Sequence, residues 1–83
     1  MNKLTKEGIQ AKIKNVAYHI IGAKTTICVI TLENGFEIMG ESSCVDPKNF
    51  DKAIGERVSY ENAFEKIWPL EGYLLQEKLF TER

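Results

Sequence analysis

The dipeptide Asn34-Gly35 constrains this chain more than any other local feature. A two-residue type I′ turn needs positive φ at both central positions, and Asn-Gly tolerates that conformation better than other pairs. Residues 25–32, Thr-Thr-Ile-Cys-Val-Ile-Thr-Leu, precede the turn and residues 36–42 follow it. The first run is rich in β-branched residues, so the two runs read as an antiparallel hairpin. A two-residue turn pairs Glu33 with Phe36, Thr31 with Ile38, Val29 with Gly40 and Ile27 with Ser42 on one face, which reads as the better core. The opposite face then sets Leu32 across from Glu37, Ile30 across from Met39 and Cys28 across from Glu41.

A further strand is expected over residues 16–21, joined to the hairpin by Gly22-Ala23-Lys24. Before it, Thr5 can cap a short helix over residues 6–14 in which Ile9 and Ile13 share a face. After the hairpin, Asp46-Pro47 reads as an N-cap followed by proline at the first helical position, opening a helix over residues 47–54 that ends at Gly55. Ser59 then caps a last helix in which Tyr60, Ala63, Phe64 and Ile67 recur at helical spacing, with a kink at Trp68-Pro69. Leu70, Tyr73, Leu74 and Phe80 carry an apolar stripe beyond it. The expected architecture is α+β: a three-stranded antiparallel meander with a short N-terminal helix and two C-terminal helices packed on one face. A chain of 83 residues makes this a single domain over residues 1–83.

So small a chain buries roughly 60–65% of its unfolded surface, which leaves a lone core marginal. Helices on one face also leave Ile30, Leu32, Met39, Ile21 and Cys28 as an apolar patch of a size that monomers rarely expose. A homo-oligomer is therefore expected, with Ile30, Leu32 and Met39 at or near the contact. A net charge of −1 gives no basic excess, which argues against a general nucleic-acid binder. Residues 1–24 nevertheless hold five lysines against Glu7 alone, a net of +4, leaving −5 on the remainder. Two solvated faces explain that division most simply; an anion site or a contact between subunits are the alternatives. No apolar run approaches membrane-spanning or signal-peptide length, so neither a membrane partner nor export is expected. Cys28, Cys44 and the single His19 lack metal-ligand spacing, so no metal and no cofactor is expected, and both thiols are expected to stay free.

Several segments together carry a family resemblance: Leu32-Glu33-Asn34-Gly35-Phe36, Gly40-Glu41-Ser42, Asp46-Pro47-Lys48-Asn49-Phe50-Asp51 with Gly55, and Ile67-Trp68 followed by Leu70-Glu71-Gly72-Tyr73-Leu74-Leu75. Over about residues 15–76 the chain resembles the small tailed-phage protein family named after a gene 49 product and a gene 66 product. The resemblance implies a phage or prophage origin and an accessory role in an infected bacterium, and with no export signal the host cytoplasm is the expected location. It implies no catalytic residues.

No nucleophile stands with a base, no acids are paired in a recognisable frame, and no glycine-rich phosphate loop is present, so the pattern favours a binding protein over an enzyme. Five residues are candidates for a ligand site. Lys48 and Asn49 follow an expected helix start, where free N–H groups can hold phosphate, although Asp46 is a rival anion there. Arg57 can clamp a phosphate bidentately or merely pair with Glu56 or Glu61. Trp68 and Tyr73 can stack on a base or fill a core. With the phage setting that the resemblance implies and the oligomer-prone sheet face, these residues lead, by analogy with phage sponge proteins, to the expectation of a counter-defence sponge that sequesters a small anionic nucleotide, of the cyclic nucleotide or cyclic ADP-ribose type, in pockets between subunits. The alternative is a protein-interaction module that binds a host or phage protein through its apolar sheet face or the Trp68 region.

Overall fold

Two three-residue loops set the register of the whole sheet. The computed structural model describes residues 3–82, so Met1, Asn2 and Arg83 lie outside the described residues. In order come α1 (Lys6–Gln10), β1 (Ile13–Ile21), β2 (Thr25–Leu32), β3 (Glu37–Ser43), one 3-10 turn (Pro47–Asn49), α2 (Lys52–Glu65) and α3 (Ile67–Thr81). The strands form an antiparallel sheet in the order β1-β2-β3. The α+β meander expected from the sequence is the observed fold.

Its register differs from expectation by one residue. Leu32 N donates to Phe36 O and Gly35 N to Leu32 O, each at 2.9 Å. Gly35 has φ +91°, while no non-glycine residue among those described has positive φ. Asn34 therefore stays right-handed, and its Oδ1 accepts from Phe36 N at 3.0 Å. This is a type I turn followed by a left-handed glycine, not a type I′ turn. Ile30 consequently pairs with Ile38, Cys28 with Gly40 and Val29 with Met39. Because side chains alternate with a period of two, the slip exchanges the faces. Ile30 and Leu32, expected at a subunit contact, are 0% and 6% exposed in the core, whereas Met39 lies on the other face and is 59% exposed.

The first hairpin also closes over three residues, with Ile21 paired to Thr25, but its left-handed glycine, Gly22 at φ +71°, stands first in the loop. Val16, Tyr18 and Ile20 thereby share the helix-covered face with Ile30, Cys28 and Thr26. A shift between Ile13 and Asn15 leaves Lys14 as a bulge, which lets both Ile13 and Val16 pack against the core. β1 begins at Ile13, so α1 is shorter than the expected 6–14. Its cap is as expected, with Thr5 Oγ1 accepting from Gly8 N at 3.0 Å.

The helical segment also departs from the sequence reading. Gly55 does not end a helix and Ser59 does not cap one. α2 starts behind Asp51, whose Oδ1 accepts from Ala53 N at 2.9 Å and Ile54 N at 3.2 Å, and it runs through both residues. Gly55, Ser59, Ala63 and Ile67 stand four apart and are all buried, so they form the stripe that meets the sheet. The strands answer with small residues. A Cβ on Gly40 would collide with the backbone of Ser59 and Ala63, and one on Gly55 would lie 2.5 Å from Thr26 Oγ1. The glycine is thus a close-approach residue rather than a helix stop.

Lys66 separates α2 from α3, and Pro69 follows within the first turn of α3, where its missing N–H costs nothing. The break expected near Trp68-Pro69 therefore occurs just ahead of it. Ile9, Cys28, Ile30, Leu32, Ile38, Ala63, Phe64 and Ile67 form the core between α2, α1 and one sheet face. A radius of gyration of 15.4 Å exceeds the ~12 Å expected for a compact chain of this length. The long axis measures 56 Å against 19 and 16 Å.

Two opposite outcomes test this packing by urea denaturation. Gly40→Ala should destabilise by about 3 kcal/mol or more, since only backbone movement can admit the methyl group. Thr26 Oγ1 is buried without a hydrogen-bond partner, so Thr26→Val should stabilise by about 1 kcal/mol and raise Tm by about 4–8 °C.

Candidate functional site

The chain ends one side of its sheet in core and leaves the other bare. β-alternation puts Ala17, Val29 and Met39 in one row across that open face and His19, Ile27 and Glu41 in the next. Ile21 and Met39 are 58% and 59% exposed there, while Ile27 and Val29 are half-buried. Glu37 and Glu41 flank the apolar centre along β3 and are exposed. This surface replaces the one expected around Ile30 and Leu32. The signals that could have found it are the small residues Thr26, Cys28, Gly40 and Gly55, which mark the side where a helix sits close.

The five candidate ligand residues lie in separate places. Lys48 and Asn49 are exposed in the 3-10 turn, where the Asp46 carboxylate already accepts from Lys48 N at 3.0 Å. Asn49 lines a cavity of about 180 Å³ shared with Lys24, Cys44 and Asp51. Its lysine is committed to Val45 O at 3.0 Å and its Asp51 carboxylate caps α2, so both helix starts in this region hold an acid of the chain itself. Arg57 is exposed on α2, two residues out of step with the buried stripe of Gly55 and Ser59. Trp68 is half-buried and meets Phe64 edge-on, with ring centroids 6.4 Å apart, and Phe64 in turn meets Tyr60 at 5.8 Å. These rings line a broad cavity of about 490 Å³ whose charged members are Lys6, Glu61 and Glu65. Tyr73, on α3, is 73% exposed.

One ion pair was not foreseen. Lys12 Nζ lies 2.7 Å from Glu71 Oε1, whose side chain is 10% exposed, and the pair ties α3 to the turn before β1. Part of the N-terminal positive charge is thus spent on an internal contact. Among the described residues, no group of three or more His, Cys, Asp or Glu could hold a metal ion. No helix among them is long and apolar enough to cross a membrane.

The thiols differ in environment. Cys28 is buried and burial raises its pKa above the ordinary 9.0, whereas Cys44 is half-buried and its Sγ donates to Asp46 O at 3.3 Å. Burial, followed by the nearby Cys28, likewise raises Tyr60. The folded state therefore holds these protons more tightly than the unfolded chain. Their contribution to stability is fully present below the unfolded values and is lost as pH rises through the folded ones. Urea midpoints should accordingly stay level up to about pH 8.5 and fall at higher pH. In native protein a disulfide reagent should modify Cys44 quickly and Cys28 only on unfolding.

Searches of curated proteins and of solved structures find no match to this chain. A family model does match, over residues 4–79, which takes in the sheet, α2 and nearly all of α3. The chain belongs to the phage protein family described as N4 Gp49/phage Sf6 gene 66.

Proposed function

We propose that this phage protein is a non-enzymatic accessory that acts by binding another protein through the open face of its sheet. The observation that carries the reading is the bare face itself. Ile21, Ile27, Val29 and Met39 present an apolar centre that no element of the chain covers among the described residues, and Glu37 and Glu41 rim it with negative charge. The chemistry that fits is a host or phage protein surface with an apolar centre and lysines or arginines on its flank, met in the cytoplasm of an infected bacterium.

Sequestration of a small anionic nucleotide has weaker support. It would rest on Arg57, Lys48 and Asn49, with Trp68 and Tyr73 for stacking. Asp46 and Asp51 occupy the backbone donors nearest to Lys48 and Asn49, and Glu61 and Glu65 line the Trp68 cavity.

The two readings separate in one experiment. Tagged protein is recovered from infected cells as wild type, as Ile21→Lys with Met39→Lys, and as Arg57→Ala. A stoichiometric protein should accompany the wild type and Arg57→Ala, and fall by about tenfold or more with the face variant while its melting curve is retained. Each preparation is then heat-denatured and the supernatant analysed. A nucleotide released from the wild type but lost from Arg57→Ala, with no change at the face variant, would overturn the proposal in favour of sequestration.

A further inference from the structure

A cavity of about 490 Å³ lies along the last turns of α2 and the first turn of α3. Its volume falls in the range of pockets that receive a ligand group. Tyr60, Phe64 and Trp68 stand four apart and form its apolar wall, Phe64 buried and the outer two half-buried. Phe64 is tilted 34° from Tyr60 and 76° from Trp68, so the rings make a corner rather than a parallel stack. One position further along the chain, Glu61 and Glu65 set a row of exposed carboxylates beside the rings.

Those carboxylates stand where the helix alone gives no reason for them. Like charges four apart repel, and Glu65 is the last residue of α2, where the helix carbonyls already make the field negative. Lys66, next in the chain, is turned to Met39 O at the rim of β3. Among the described residues neither carboxylate takes a hydrogen bond or an ion pair, and Lys6, the cation lining the cavity, takes none either. Two carboxylates against one ammonium leave the cavity negative beside its rings.

We propose that this cavity receives an arginine side chain of another protein, with its guanidinium against the rings of Tyr60 and Trp68 and its N–H groups shared by Glu61 and Glu65. The two halves of the lining call for two properties at once. A guanidinium has both, a weakly hydrated flat face that lies on aromatic rings and a fork of donors that meets carboxylates, whereas an ammonium offers a point charge alone. An anion is repelled, and a neutral apolar group leaves both carboxylates beside it without a partner. Glu61, Glu65 and Lys6 are exposed at the mouth, so a side chain can enter while the backbone that bears it stays outside. Bound there, the cation also relieves the repulsion between the two glutamates.

This inference goes beyond the proposed function and uses a different surface, so either can fail without the other. Trp68 is the one tryptophan of the sequence, and the fluorescence of the full-length protein therefore reads the cavity directly. The protein is titrated at low ionic strength with a blocked glycine peptide carrying one arginine. The change should saturate with a dissociation constant on the order of millimolar. The same peptide with citrulline, which keeps the shape of arginine without its charge, should bind at least about fivefold more weakly. Glu61→Gln with Glu65→Gln should weaken the arginine peptide by about five- to tenfold, with a melting temperature no lower than that of the wild type. Lys6→Gln, which removes the rival cation, should tighten it by about twofold. Free arginine should bind more weakly than the peptide, because its own carboxylate meets the glutamates. Absence of a saturable change, equal affinity for the citrulline peptide, or unchanged affinity in the double glutamine variant would overturn the site. Free arginine binding as tightly as the peptide would overturn a protein as its source.

Discussion

The close approach of α2 to the sheet at Gly40 organises the other contacts of the fold. Backbone of Ser59 and Ala63 occupies the volume where a side chain at position 40 would stand. With the helix seated so low, its own contact stripe must be small as well, which is met by Gly55, Ser59 and Ala63. Seating α2 there also brings Phe64 and Ile67 onto the core and directs Lys66 and Asn62 toward the rim of β3. The same fit leaves the Thr26 hydroxyl beside Gly55 with no acceptor, a local cost accepted by an otherwise tight seam. Core volume in this protein is therefore concentrated toward the C-terminal end of α2, around Ile9, Ile30, Phe64 and Ile67, while at its N-terminal end Gly55 meets the Thr26 side chain.

Element types were legible because β-branched runs and caps are local properties. The second strand, residues 25–32, and the Thr5 cap follow directly from such signals. Register was not, because one hydrogen bond decides it: with Asn34 bonded to Phe36 N, the loop takes three residues, and every side chain of β3 changes sides. Gly55 was misread for a related reason. A glycine before a polar run looks like a helix end, and only the opposing Thr26 reveals that it marks contact. The candidate ligand residues were chosen by type, and type does not carry distance; Arg57, Asn49 and Trp68 stand on elements that the fold points to different surfaces.

Negative and positive charge are arranged to serve structure before they serve recognition. Asp46 and Asp51 neutralise the orphan N–H groups of two consecutive helical starts, Glu71 fixes α3 through Lys12, and Lys24 holds the Val45 carbonyl. The open face of the sheet keeps an apolar centre with glutamates along β3. A phage protein built this way uses one face of its sheet as a wall of the core and leaves the other face open.

The two margins of that sheet are not equivalent. On β3, Asn62 Nδ2 donates to Glu41 O at 2.8 Å and Lys66 Nζ to Met39 O at 2.7 Å, which occupies two outward carbonyls at the middle of that strand. Among the described residues, no side chain closes the outer margin of β1 in the same manner. Strand addition to this molecule is thus favoured along β1 over β3. Two chains that met along β1 would use up both of the more open margins at once, and further growth would have to displace Asn62 and Lys66 from β3.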